Sequence, residues 1–173
     1  MNIFLTSGTI GFMETLQKQF ANEEMVVMHG ANNSILLHET MGKTLFQTPR
    51  RYEVISSSGT LQQQGFFALN NIPVTDEGRP IFEHRFHNHA DTISASSGLI
   101  AHRLLRPLNS DTYIVLTQWT EKNSFELWKD SSVYTDIHTN NEGGIVLDKT
   151  LHIFSSAAYL MTYKATSEEE EEE

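Results

Sequence analysis

The sequence has no cysteine among its 173 residues. This absence excludes disulfide frameworks, thiolate metal sites and cysteine nucleophiles, and it is typical of a reducing compartment. Basic residues are also few, with 12 Lys and Arg against 22 Asp and Glu. Six of the acids form the run Glu168–Glu173, so the remainder has 16 acidic and 12 basic residues. This mildly acidic balance gives no support to nucleic-acid binding.

Long apolar runs are missing as well. No run approaches the roughly 20 residues needed to span a bilayer, and Met1–Gly8 lacks the basic region and apolar core of a secretion signal. We therefore expect a cytoplasmic protein with no membrane association. Phosphate-binding loops, serine elbows and His-Glu-x-x-His are absent. Without a dinucleotide fingerprint, any redox chemistry would need an external electron donor.

The first sixty residues predict short elements. Phe12, Leu16 and Phe20 recur at four-residue spacing, which indicates a helix over Gly11–Phe20. The predicted strands are Asn2–Thr6, Met25–His29, Ile35–Glu39, Thr44–Gln47 and Tyr52–Ile55. The polar stretch from Ser56 to Gly65 has no periodicity and is predicted to be a linker.

The second part predicts longer elements in the order strand–helix–strand–strand–helix–strand. The predicted strands are Phe66–Ile72, Gly98–Arg106, Thr112–Trp119 and Tyr159–Lys164, and the first helix is Thr75–Ala90. The second helix carries Phe125 and Trp128 behind a Thr120 cap, breaks at a polar run and restarts towards His138. This order is ferredoxin-like. The first part repeats it without the second helix.

The predicted fold is therefore α+β, with ferredoxin-like antiparallel sheets and helices. We expect a reduced N-terminal part at residues 1–62, a complete part at 63–166 and a disordered acidic tail at 167–173. The two sheets could close a barrel within one chain as a pseudo-dimer. A homodimer is the alternative, and the sequence leaves both open.

Three residues are candidates for chemistry, and each has an ordinary alternative. His138 could ligate a metal, or it could be a helix-end imidazole bonded to a backbone carbonyl. Trp128 could press against a flat ligand, or it could fill the core with Phe125. Asn70 lies in the apolar strand Phe66–Ile72, so its amide is satisfied either structurally or by a ligand. Together they suggest a pocket for a large flat ligand with a central metal.

A second group of histidines, at positions 84, 87 and 89, lies on the predicted helix Thr75–Ala90. His84 and His87 share a helical face, so a surface metal site is one interpretation. No acidic or thiolate partner stands at a recognised spacing. Solvated histidines are the favoured interpretation.

From Phe66 to Lys164 the chain resembles the Isd-type heme-degrading monooxygenases of the antibiotic-biosynthesis-monooxygenase (ABM) superfamily. The resemblance rests on Phe66–Ile72, Gly98–Pro107, Asp111–Trp119 and the pattern Phe125-x-x-Trp-x-x-Ser-x-x-Tyr-x-x-x-His138. The N-terminal extension is similar to that of the longer HmoB type of this family. The staphylococcal signalling protein TRAP shares the layout.

The resemblance implies a function and a site. Asn70, Trp128 and His138 fall on the family's catalytic and heme-binding positions, with His138 as the proximal ligand of the heme iron. Heme would be both substrate and cofactor, and O2 with an electron-donor reductase or small reductant would complete the reaction. The porphyrin would be opened and its iron released. Arg50, Arg103 and Arg106 are candidate partners for the heme propionates, with no spacing argument to choose among them.

Two other functions stay open on the same fold. One is a non-enzymatic heme-binding or stress-signalling protein of the TRAP type. The other is a quinone-forming monooxygenase that acts on an aromatic metabolite without a metal. The joint presence of Asn70, Trp128 and His138 favours heme degradation over both.

Overall fold

The structure is a computed structural model. It describes residues 1–138, 141–142, 145–146 and 153–166, and of residues 141–142 and 145–146 it describes the backbone alone. The acidic tail predicted at 167–173 lies outside these residues. Among the described helices, none combines the length and apolar character needed to cross a membrane.

The elements follow the predicted order. The helices are α1 (Ile10–Gln19), α2 (Arg79–Ser94), α3 (Lys122–Lys129) and α4 (Ser132–His138). The strands of the first half are β1 (Asn2–Gly8), β2 (Met25–His29), β3 (Ser34–Thr40) and β4 (Arg50–Ser58). Those of the second half are β5 (Gly65–Pro73), β6 (Leu99–Pro107), β7 (Thr112–Trp119), the short pair β8 (Asn141–Glu142) and β9 (Ile145–Val146), and β10 (Tyr159–Ala165).

Eight strands form a closed barrel in the order β1-β3-β2-β10-β5-β7-β6-β4. Each half contributes four neighbouring strands in the ferredoxin-like order, namely β4-β1-β3-β2 and β10-β5-β7-β6. The halves join where β2 meets β10 and where β4 meets β6. The ferredoxin-like prediction is confirmed, and a single chain supplies every strand of the barrel.

The described residues form three apolar clusters. One lies inside the barrel and takes side chains from both halves, such as Leu5 and Leu37 with Leu69 and Leu116. A second lies outside the second half, between its strands and helices α2, α3 and α4. A smaller third cluster lies outside the first half, where Met13 of α1 packs against the sheet. Strand residues therefore alternate between the barrel interior and a helix-covered outer face.

Several predicted boundaries are wrong. Residues 44–47 form no strand; instead Phe46 packs on the outer face of the first half, where the second helix is missing. Ser56–Ser58 belong to β4 and pair with β6, so only the residues after them act as a connection. Thr120 does not cap α3, because Glu121 holds that position and makes no side-chain capping bond.

Candidate active site

Strand β5 places Asn70 on its helix-covered face. Phe67 and Leu69 point into the barrel, whereas Phe66 and Ala68 join the outer cluster. Because side chains alternate along a strand, Asn70 shares the outer face with Phe66 and Ala68. It is 2% exposed. The amide is therefore buried beneath the helices.

Helices α3 and α4 cover this face and meet at a tight turn. The backbone N–H of Ser131 donates to the carbonyl of Trp128 at 2.9 Å, which ends α3. The Ser131 hydroxyl then accepts the N–H of Tyr134 at 3.3 Å and caps α4. This break holds Trp128 against the sheet and leaves His138 as the last residue of α4.

Tyr134 brings the three predicted residues together. Its hydroxyl donates to Asn70 Oδ1 at 3.0 Å. Its ring stacks on His138 with a centroid distance of 4.0 Å, and it meets Trp128 edge-on at 5.0 Å. Asn70 is 64 residues away in sequence. The fold thus gathers Asn70, Trp128 and His138 around a fourth side chain.

Each of the three residues has one buried polar atom without a partner among the described residues. These atoms are Asn70 Nδ2, Trp128 Nε1 and His138 Nε2. A buried donor or acceptor left unpaired costs about 1–3 kcal/mol. By contrast, the nearby Trp119 indole donates to Thr117 Oγ1 at 2.8 Å. Two donors and one imidazole nitrogen are therefore available to a ligand within one cluster.

The His138 ring is held in the form that can ligate a metal. Its Nδ1 lies 2.6 Å from the Tyr134 carbonyl, which can only accept, so Nδ1 carries the proton. Burial lowers the pKa of the ring, against a smaller rise from that carbonyl bond. The imidazole is therefore neutral near pH 7, with the lone pair on Nε2. A backbone partner on the far nitrogen is the usual way in which proteins orient a ligating histidine.

Two of the candidate propionate arginines are already paired with acids. Arg103 bonds Glu39 at 2.7 Å and also donates to backbone carbonyls, so it joins the two halves of the barrel. Arg106 pairs with Glu83 and Glu53. Arg50, the third candidate, is exposed on β4.

Sequence reasoning did not single out Arg85. This α2 residue is 3% exposed, and Nη1 approaches the Asp136 carbonyl of α4 at 3.5 Å. It occurs within the apolar stripe of Phe82 and Phe86, and a cation at such a position was the available signal. The side chain links α2 to the helix that ends at His138.

The histidine group on α2 shows no metal arrangement. His84 and His87 are exposed and His89 is partly exposed. Within the described ranges, no group of three His, Cys, Asp or Glu side chains is placed to hold a metal ion.

Comparison with known proteins gives a family and two kinds of relative. Residues 65–140 match the family model of the antibiotic biosynthesis monooxygenases. A heme-degrading monooxygenase of Listeria monocytogenes is 26% identical over 135 residues, which cover 78% of this chain and 81% of that protein. The signal transduction protein TRAP of Staphylococcus aureus strain USA300 is 24% identical over 161 residues, which cover 93% of this chain and 92% of that protein.

Solved structures share the whole fold. The structure of a major regulator of staphylococcal pathogenesis superposes with a TM-score of 0.83 and 22% identity, covering 96% of this chain and all of that one. LmHde, a heme-degrading enzyme from Listeria monocytogenes, superposes with a TM-score of 0.75 and 21% identity, again covering 96% of this chain and all of that one. At these identities the structural likeness establishes the fold alone. The family match covers Asn70, Trp128 and His138, and the segment 65–140 of this chain is similar to the antibiotic biosynthesis monooxygenase family.

Proposed function

We propose that the protein is a heme-degrading monooxygenase whose site is formed by Asn70, Trp128 and His138. Heme would be its substrate and cofactor, and O2 with an external reductant would open the porphyrin and release iron. The observation that carries the proposal is the cluster of three buried polar atoms that have no partner among the described residues. The similarity to the Listeria heme-degrading monooxygenase supports it. Heme itself supplies the iron that activates O2 and the ring that is oxidised.

His138 would hold the heme iron from the proximal side. Its Nε2 is deprotonated and has no partner in the part of the chain that the structure describes, and the Tyr134 carbonyl fixes the ring orientation through Nδ1. Because the ring is already neutral, no proton has to leave before it binds iron. The role needs an imidazole and cannot be taken by an amide of similar size.

Asn70 would act as a hydrogen-bond donor inside the site. Its Oδ1 is occupied by the Tyr134 hydroxyl, which directs the two N–H groups of Nδ2 elsewhere. Such a donor, held in a buried site, stabilises negative charge that develops on a reacting oxygen. Asn70 would therefore affect turnover more than binding.

Trp128 would supply a large flat wall. Its indole is 6% exposed, and its ring centroid lies 5.5 Å from that of Trp119 and 6.3 Å from that of Phe125. These neighbours restrict movement of the indole. A rigid indole at this position would exclude water from one side of a bound porphyrin and restrict the shape of the pocket. Its indole N–H, which has no acceptor within the described ranges, would offer one further donor to the ligand.

The test is a titration of purified protein with hemin, followed by ascorbate in air with catalase present. We expect a Soret band that forms on titration and then decays as iron is released to a chelator. A band that forms but persists under reductant would contradict degradation. No band would contradict heme binding altogether.

Variants separate the roles. His138→Ala should weaken hemin binding at least tenfold, because the iron loses its ligand, whereas His84→Ala on exposed α2 should not. Asn70→Ala should leave the Soret band in place and slow its decay about tenfold or more. Asn71→Ala is the matched control, since Asn71 follows on the same strand and bonds the Leu69 carbonyl. Loss of hemin binding in Asn70→Ala with normal turnover in His138→Ala would reverse the assignments.

A non-enzymatic heme-binding or signalling protein is the second candidate. It is favoured by the similarity to TRAP, which extends over 93% of the chain rather than the 78% shared with the Listeria enzyme. A stable Soret band under reductant would support this function.

A further inference from the structure

Tyr134 connects the groups that the proposed function assigns to heme. Its hydroxyl bonds Asn70, its ring face covers His138, and its edge meets Trp128. The three polar atoms that lack a partner among the described residues are also buried from solvent. A heme held by His138 and contacted by Asn70 would need the space that this phenol ring fills.

We propose that Tyr134 is an internal occupant of the heme site, and that its side chain must leave before heme can bind. The inference rests on the proposed function, and it deepens it by naming what controls entry. Tyr134 would thus be a gating residue that competes with the ligand.

Local contacts explain how the ring is retained and how it can leave. One hydrogen bond to Asn70 Oδ1, at 3.0 Å, is its polar attachment. The ring also stacks on His138, meets Trp128 edge-on and packs against the outer apolar cluster, and another flat apolar ligand can replace contacts of this kind. The ring belongs to the seven-residue helix α4 and is itself partly exposed. Among the described residues, release therefore requires the hydrogen bond to Asn70 and these apolar contacts to break.

When a side chain occupies the site, the apparent affinity is the intrinsic affinity multiplied by the fraction of molecules in which the site is open. Removing the hydroxyl weakens the closed state and raises that fraction, while removing the ring abolishes the closed state. The effect is steric, so it applies equally to a porphyrin that contains no iron. This distinguishes gating by Tyr134 from ligation by His138, because loss of the ligand weakens binding of the iron-containing porphyrin only.

The experiment measures association of hemin and of iron-free protoporphyrin IX by stopped flow and equilibrium titration. Tyr134→Phe should bind both about two- to tenfold faster or tighter than the natural protein, in keeping with the loss of one hydrogen bond. Tyr134→Ala should exceed Tyr134→Phe. Tyr163→Phe is the control, because Tyr163 is a buried tyrosine inside the barrel, in another apolar cluster. His138→Ala should weaken hemin binding, because the iron loses its ligand, but should not weaken protoporphyrin binding, because the lost stack on Tyr134 favours the open state.

The outcomes separate the two proposals. Suppose that the natural protein binds hemin, and that the Tyr134 variants bind both ligands with unchanged or lower rate and affinity. The gating role is then wrong, while heme binding by the natural protein stands. If neither the natural protein nor any variant binds either ligand, the proposed function fails, and the gating role with it. Should Tyr134→Ala not fold, Tyr134→Phe keeps the ring and the packing and decides the question alone.

Discussion

At the scale of single residues, buried polar groups fall into two kinds. His102 is 1% exposed and bonded on both ring nitrogens, with Ser58 Oγ at 2.5 Å and Ser56 Oγ at 3.3 Å. Its bonds are all made within the protein, so it serves the fold. Asn70, Trp128 and His138 each keep one polar atom without a partner among the described residues. Under the proposed function, a bound ligand would satisfy these three atoms, which lie in one cluster around Tyr134.

His102 gives a pH prediction with a definite sign. Burial, with a smaller effect from Arg103, lowers its pKa to about 4. Between about pH 6.5 and 4 the unfolded chain binds a proton that the folded protein does not, so stability falls as the pH falls, by about 1.4 kcal/mol per unit. Urea unfolding measures the free energy of unfolding at pH 7 and at pH 5. The decrease between the two pH values should be about 2 kcal/mol smaller in His102→Gln than in the natural protein. Equal losses in both proteins would contradict a neutral buried ring.

Some of these residues could be recognised from the sequence and others could not. Asn70 was recognisable because one amide interrupts an apolar strand, and alternation decides which face it takes once the strand is known. The contact of Asn70 with Tyr134 joins positions 64 apart and depends on how α4 lies on the sheet. The pairing of Arg103 with Glu39 likewise crosses the two halves. No local pattern encodes either contact.

At the scale of elements, the break between α3 and α4 positions the site. Ser131 caps α4 through its hydroxyl and places Tyr134 and His138 one turn apart on the same face. A helix of seven residues has little stability of its own, so its cap and its packing matter. The polar run before His138 predicted this break, because serine favours helix caps over helix interiors.

Ser131→Ala tests the importance of that cap. The loss of a side-chain cap costs about 1 kcal/mol, so amide exchange in α4 should become about fivefold faster. Thr9→Ala is the matched control, since Thr9 caps α1 through the N–H of Phe12 at 3.4 Å, on the other half of the molecule. Hydrogen exchange resolved by mass spectrometry measures both. A local role for the cap would be contradicted if Thr9→Ala accelerated exchange in α4, or if Ser131→Ala did not accelerate it.

At the scale of the whole molecule, the two halves depend on one interior. Leu69 and Leu116 of the second half meet Leu5 and Leu37 of the first inside the barrel. The strand order could be predicted from the repeated ferredoxin-like pattern, because that motif fixes which strands are neighbours. Closure within one chain could not, since two copies of either half satisfy the same pattern. The division at residues 62 and 63 stays a prediction about sequence units, even though the halves share this core.

This shared core predicts how an isolated second half behaves. A fragment of residues 63–166 keeps its helices and outer cluster but loses the four strands that cover the other side of its sheet. It would expose Phe67, Leu69, Ile114 and Leu116 to water, a contiguous apolar face that soluble monomers rarely present. We expect the fragment to form homodimers through this face or to aggregate. Light scattering after size-exclusion chromatography measures this, and Leu116→Lys, which places a charge on the face, should abolish dimers of the fragment. A folded, monomeric fragment would show that the second half does not need the first.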